Sequence, residues 1–399
     1  MKNNRLQRWL ILGACFLIMA VVFSIINSVH SLFIAPVTEA MGFSIASFSL
    51  LFTIAGITTA LISPIVGRLI GKINIKLIMS FGVITAGLSF AAYGFVSSIT
   101  AFYIIGFISA VGVTSTSTIP ISTLLNYWFK EKKGTAMGIA FAGIGTGTFF
   151  WMQVATFLIE KRGYRYAYVI LGLIVIAIAL PLVLFFIKLP KEAFSSEGEE
   201  VKEKSSGIGV KINLNFILFS FALLILGLTV SGTKVHIQPY LGYAGYSLKY
   251  SANIGSAQSA FALLGNVLGG YIFDKFPLKV SVTILSLFAL GSYVALLFVG
   301  INGIAFVFAA LYGLFLCLPS VLPAYGVGEL FKEGEYAVTF GIVNMVFTFG
   351  SAFGPLISGI IADITNYSLV WVIYFITTLI YLVILLVTIK RIKKQSRIN

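Results

Sequence analysis

Charge is scarce in this 399-residue chain, at 10 % of residues against ~25 % in ordinary soluble proteins. Hydrophobic residues make up 59 %, and Phe alone contributes 36 positions. A water-facing enzyme is excluded, because no soluble fold of this length buries so much apolar surface. Cysteine is almost missing. Cys15 and Cys317 both lie inside apolar runs, a setting that suits small buried hydrophobes and fits no metal-ligand spacing. No Walker sequence is present to bind and hydrolyse nucleotide, so work against a gradient must be driven by another gradient. No enzymatic motif is found, and neither a cofactor nor a metal is expected. Acids are the scarcest charges, with 13 Asp and Glu against 27 Lys and Arg.

What the chain has instead is apolar runs long enough to cross a hydrocarbon core of ~30 Å, which takes about 20 helical residues. They fall near 9–33, 44–67, 77–96, 99–125, 134–158, 166–188, 213–237, 248–272, 280–300, 302–326, 337–361 and 367–389. The first follows Lys2, Arg5 and Arg8 and so resembles a secretory signal. It runs from Trp9 to Phe33, beyond the ~7–15 residues of a signal core, and reads as a membrane helix. Long runs without ten-residue alternation exclude an outer-membrane barrel. The fold expected is an all-α membrane protein of twelve transmembrane helices.

The formal charge of +14 tests that topology. With the N-terminus inside, every Lys and Arg except Lys161, Arg162, Arg165, Lys234 and Lys249 falls on the cytoplasmic face. This is the positive-inside pattern, and it places both termini in the cytoplasm of a multi-pass inner-membrane protein. The basic excess orients helices and attracts anionic lipid, so nucleic acid is not an expected partner. The one long polar stretch, 189–211, mixes Glu192, Glu197, Glu199, Glu200 and Glu203 with lysines and serines. It reads as a cytoplasmic linker joining residues 1–188 to residues 212–399.

The two parts echo each other. Gly67-Arg68-Leu69-Ile70-Gly71-Lys72 follows the second run, and Gly270-Tyr271-Ile272-Phe273-Asp274-Lys275 follows the eighth. Matching Gly-to-basic turns mark a parallel repeat of two six-helix halves. The stretch Tyr127-Trp128-Phe129-Lys130-Glu131-Lys132-Lys133-Gly134 through Ala140, then His236-Ile237-Gln238-Pro239-Tyr240-Leu241, and Gly354-Pro355 through Gly359 to Asp363 complete the pattern. Gly163-Tyr164-Arg165 adds a weaker echo. On these residues the chain resembles the major facilitator superfamily over essentially its whole length. More narrowly it resembles the oxalate/formate antiporter and monocarboxylate carrier branch. The resemblance implies two pseudo-symmetric six-helix bundles and solute transport. Asn266 stands where carriers of the branch commonly have an arginine, and helix 11 lacks the basic residue their antiporters use. Gly71 replaces the acid usual in the first loop motif.

Ionisable groups inside a membrane are costly and mark cavities or partners. Lys234, His236 and His30 lie about 30 Å along their runs at ~1.5 Å per residue, in the outer third. Two readings stand side by side: interfacial snorkelling, or a basic vestibule that attracts an anion. Nearer the midplane the candidates for substrate contact are neutral: Asn27, Gln258, Tyr312 and Asn344. Each can orient a carboxylate or hydroxyl, or merely bond a neighbouring helix. Arg68, Lys72, Asp274 and Lys275 are candidates for cytoplasmic gating contacts that break when two halves rock. No acid falls in the middle of a run, so the carboxylate that exchanges a cationic drug for a proton is missing.

The function expected is secondary transport of a small monocarboxylate or related organic anion, with a proton or by exchange for a counter-anion, by a monomer in lipid. Export of a neutral or amphipathic compound is the alternative. A non-transporting membrane sensor or scaffold is a third reading, and no appended soluble domain supports it.

Overall fold

The computed structural model describes residues 2–70, 72–129, 133–188, 213–331 and 336–395. The expected linker 189–211, the basic segment 130–132 and Gly71 lie outside the described residues. The described chain is helical from end to end. It runs α1 (Lys2–Ile18), a π-helix (Met19–Ser28), a 3-10 turn (Val29–Phe33), α2 (Ile34–Met41), α3 (Ile45–Ile70), α4 (Ile75–Ala92), α5 (Ile99–Thr116) and α6 (Thr118–Trp128). It continues with α7 (Lys133–Phe186), α8 (Leu214–Tyr243), α9 (Leu248–Lys275), α10 (Leu278–Leu297), α11 (Ile304–Phe315), α12 (Cys317–Leu330), α13 (Tyr336–Ile364) and α14 (Tyr367–Gln395).

Proline sets two of the breaks. α5 stops at Thr116 and α11 at Phe315, each four residues before a proline, Pro120 and Pro319. Proline has no N–H to give the carbonyl four residues back, and its ring crowds that carbonyl. The runs expected at 99–125 and 302–326 are therefore two helices each. Serine and glycine make the turn between α2 and α3, and the same turn recurs between α8 and α9. Gly42 and Gly245 have φ of 67° and 87°, a left-handed conformation that glycine adopts without a Cβ penalty. Ser44 Oγ then accepts from Ser47 N at 3.0 Å, and Ser247 Oγ from Tyr250 N at 3.2 Å. Each caps the first turn of the next helix.

Among the described residues, ten helical runs are long and apolar enough to cross a membrane. Twelve were expected, and the difference has two sources. The runs at 134–158 and 166–188 are two helical stretches that meet at a kink within α7, so together they count as one apolar run of 51 residues. At Gly163 that helix leaves helical geometry, with φ 80° and ψ 166°. The eighth run forms α9, but Lys249, Asn253, Ser256, Gln258, Ser259 and Asn266 dilute its hydropathy. Large apolar side chains cover the exterior, with Phe95 74 %, Phe185 72 % and Ile364 77 % exposed. Exposure on that scale suits a surface solvated by acyl chains.

The chain divides into two units, Met1–Phe43 with Ile57–Ser205, and Ser44–Gly56 with Ser206–Asn399. In the first, small residues let helices meet at backbone distance. A Cβ on Gly143 or Gly147 of α7 would run into the carbonyls of Phe16 and Ala20, and Ser24 Oγ donates to the Ile144 carbonyl at 2.8 Å. This is how helices associate where lipid removes the hydrophobic drive between them. The second unit is centred on Phe219, Tyr293, Phe308, Tyr312, Trp371, Tyr374 and Tyr381, all fully buried.

Candidate functional site

The sequence-predicted residues fall into separate environments. In the first unit His30 closes an aromatic box. Its ring lies edge-on to Phe90 and Tyr168 at 5.3 and 5.6 Å between centroids, with Tyr93 at 5.1 Å. Nε2 pairs with the Tyr168 hydroxyl at 3.0 Å. The ring is buried, and the 3-10 turn that carries it is wholly interior. Asn27 lies one turn earlier, in the π-helix. Its side chain is half-buried, and its Nδ2 is enclosed without an acceptor. A π-helix breaks the regular backbone ladder and often marks a functional position. An enclosed amide donor without a partner is a group that can pair with a ligand oxygen.

In the second unit His236 is fully buried, and both ring nitrogens are occupied. Nε2 lies 2.8 Å from the Pro355 carbonyl and 3.1 Å from Ser49 Oγ. Nδ1 lies 3.1 Å from the Tyr367 hydroxyl. A carbonyl only accepts, so Nε2 carries the proton and Nδ1 accepts from Tyr367. Tyr312 donates to the Val230 carbonyl at 2.9 Å, and Tyr293 shares a hydrogen bond with Thr233 at 3.1 Å. Tyr374 bonds Ser358 and reaches the Gly354 carbonyl at 3.3 Å. These hydroxyls tie α8, α10, α11, α13 and α14 together without a charge. Gln258 is buried in α9, whereas Asn344 is exposed on α13. Lys234 is half-buried and makes no hydrogen bond among the described residues. One turn further along the same face, Gln238 is buried with its Oε1 unpaired.

The four gating candidates Arg68, Lys72, Asp274 and Lys275 are all exposed. Lys275 Nζ donates to the Tyr271 hydroxyl at 2.7 Å and lies 5.1 Å from that ring's centroid. Tyr367, Ser49, Tyr293, Tyr374 and Gln238 were missed as site residues. Tyrosines spaced through apolar runs look like core in the sequence, and their partners lie 16 to 131 positions away. Asp363 stood out as an acid at the end of a run, but nothing in the sequence names what it holds.

A model described as the Major Facilitator Superfamily matches residues 15–257 and 219–399. The chain belongs to the Major Facilitator Superfamily. Over 170 residues it is 28 % identical to the oxalate:formate antiporter of Oxalobacter formigenes, which is 42 % of this chain and 40 % of that protein. The match thus spans less than half of that antiporter's length. Against monocarboxylate transporter 13 of Rattus norvegicus it is 24 % identical over 370 residues, covering 92 % of this chain and 85 % of that protein. Among solved structures, the nucleoside transporter NupG superposes with a TM-score of 0.76 at 14 % identity, over 96 % of this chain and 99 % of that one. A bacterial homologue of the human lysosomal transporter Spinster, inward-facing and occupied, gives 0.69 at 17 % identity, over 97 % and 96 %. At these identities the structural likeness carries the fold alone. A superfamily transporter moves solutes across a membrane and catalyses no covalent chemistry.

Proposed function

We propose that this superfamily member has twelve spans, residues 1–188 and 212–399 forming two six-helix halves, with 189–211 as a cytoplasmic strap. In this reading α7 crosses twice about Gly163, and α9 crosses once despite its polar residues. Both termini lie in the cytoplasm, and the monomer works by alternating access. Its cargo is a small monocarboxylate or related organic anion, moved with a proton or in exchange for a second anion. Lys234 carries this reading. It is a basic side chain set inside α8, half-buried, in a chain that places no acid in the middle of any span. A cation held in lipid without a counter-charge favours an anionic guest. The names of two relatives, an oxalate:formate antiporter and a monocarboxylate transporter, point to the same chemistry. Asn27 and Gln258 then supply neutral hydrogen bonds, and Asn344 completes the polar set; Tyr312, His236 and His30, first expected to contact the cargo, spend their polar atoms on Val230, on Pro355 with Tyr367, and on Tyr168, and would have to give up those bonds to reach it. Arg68, Lys72, Asp274 and Lys275 serve the cytoplasmic gate.

The test is uptake of labelled formate and oxalate into liposomes holding the purified protein. Saturable uptake is expected, with Lys234→Gln raising KM several-fold. Uptake that is absent, or unchanged in the variant, overturns the role. A neutral cargo is the second reading, and Asn266 at the position of the branch arginine favours it. A thermal-shift screen from pH 5 to 8 separates the two, because only a bound ligand stabilises the native state.

A further inference from the structure

The positive-inside pattern leaves five bases off the cytoplasmic face, and three of them, Lys161, Arg162 and Arg165, stand in one five-residue stretch at the Gly163 kink of α7. The cargo site uses none of them. All three are exposed, and the partners recorded for them are aromatic faces and neutral hydroxyls rather than acids. Lys161 Nζ lies 6.0 Å from the Phe157 ring centroid, and the Arg162 guanidinium lies 5.5 Å from that of Tyr166. A ring face steadies a cation at such distances without cancelling its charge. Arg165 is braced more firmly. Its Nη2 donates to Ser97 Oγ at 2.9 Å, its Nε donates to the Tyr164 hydroxyl at 3.3 Å, and its guanidinium carbon lies 5.9 Å from the Tyr164 ring centroid. The loop that carries Ser97, between α4 and α5, is itself held close, since a Cβ on Gly94 would lie 2.6 Å from the Arg165 carbonyl oxygen. Two of the five guanidinium N–H donors are thus engaged, and three remain on a planar group whose orientation is set.

We propose that this corner of the first unit, Lys161, Arg162 and Arg165 with Ser97, is a headgroup site for an anionic phospholipid. The proposal rests on the reading that α7 crosses the membrane twice about Gly163. Its first apolar run ends at 158 and its second begins at 166, so residues 159–165 emerge where hydrocarbon gives way to headgroups. There Arg165 offers a phosphate paired N–H donors, which match the two unesterified oxygens of a phosphodiester. Lys161 and Arg162 add charge, against which Glu160 is the one acid of the stretch. The neighbouring surface favours a lipid over a soluble phosphate. Phe157 is 60 % exposed, and Phe95, two residues before Ser97, is 74 % exposed. Apolar rings beside a phosphate site suit a ligand that carries acyl chains below its headgroup. A basic surface attracts anionic lipid without such bracing; a braced arginine holds one headgroup in one place.

The reporter is Phe95→Trp, placed between Gly94 and Ser97, which both approach Arg165. The full chain is held in phosphatidylcholine nanodiscs. Phosphatidylglycerol or phosphatidylcholine, brominated near the headgroup end of the acyl chains, is then added to quench the tryptophan. The chain without Phe95→Trp supplies the background of Trp9, Trp128, Trp151 and Trp371. Brominated phosphatidylglycerol is expected to quench at about ten-fold lower mole fraction than brominated phosphatidylcholine. Arg165→Gln lowers that preference about five-fold, the equivalent of the ~1 kcal/mol that one base contributes near an anionic membrane surface. Arg165→Lys restores less than half of it, because a point charge lacks the fork. Lys249→Gln, at an exposed base of the second unit, leaves it unchanged. Equal quenching by the two lipids overturns the site, and so does an Arg165→Lys chain as selective as the parent, since charge alone then attracts lipid. Loss of the preference in millimolar inorganic phosphate assigns the site to a soluble ion and overturns the lipid. Quenching by neither lipid puts residue 95 away from lipid, and the double crossing fails with the proposal. Equal quenching leaves the double crossing standing.

Discussion

Two glycines on one helix make opposite predictions, and comparing them tests how α7 is held. Gly147 is buried, and an added Cβ would run into the backbone of Ala20. Gly138 is exposed, with nothing within 4 Å of an added Cβ. At Gly147 the obstacle is a main-chain carbonyl, which cannot swing aside as a side chain can. The π-helix and α7 must separate, and the Ser24–Ile144 hydrogen bond at 2.8 Å stretches with them. Overpacking of this kind costs about 1–3 kcal/mol. At Gly138 only the backbone entropy of glycine changes, and alanine is favoured by ~0.5–1 kcal/mol. At roughly 2–4 °C per kcal/mol for a unit of this size, Gly147→Ala lowers the melting temperature by several degrees. Gly138→Ala raises it by a degree or two. The assay is thermal unfolding of both variants in one detergent, followed by the monodisperse fraction on size exclusion. A Gly147→Ala protein as stable as the parent would refute close helix contact as the purpose of that glycine.

Gly163→Ala is expected to destabilise by about 1–3 kcal/mol, because φ 80° with ψ 166° is a conformation reserved for glycine; thermal unfolding reads the loss. Tyr312→Phe leaves the Val230 carbonyl without its 2.9 Å donor and is expected to cost about 0.6–2 kcal/mol, measured by denaturant titration in micelles. Ser247→Ala removes the cap on Tyr250 N and is expected to cost about 1 kcal/mol. Hydrogen exchange at the first turn of α9 should quicken while the rest of the second unit stays protected.

Much of the architecture was legible because lipid imposes a simple rule: backbone polar groups must be satisfied within each helix, so spans announce themselves as long apolar runs. The rule fails where a helix lies in the protein interior or carries polar residues. That is why α9 stands out less than its neighbours, whereas the two runs at 134–158 and 166–188 were both legible and meet at the Gly163 kink within α7. Pro120 and Pro319 were visible in the sequence, and the breaks at Thr116 and Phe315 follow from them. Of the site, residue types were legible and partnerships were not. His236 stood out as a rare titratable group, yet Ser49, Pro355 and Tyr367, which saturate its ring, are 119 to 187 positions away. His30 could not be told from a vestibule residue until Phe90, Tyr93 and Tyr168 were seen to enclose it.

Composition alone therefore determined that this chain lives in lipid, since 59 % hydrophobic and 10 % charged residues leave no aqueous alternative. The placement of Lys and Arg set its expected orientation, because charge resists translocation whatever the fold. Only tertiary structure decided which unit each helix serves. α3 is one uninterrupted helix, yet its first half clusters with the second unit and packs against Asp363, Gly359, His236 and Ala352, 187 or more positions further along the chain. Such allegiance depends on close packing and hydrogen bonds between residues far apart in the chain, and no local pattern records it.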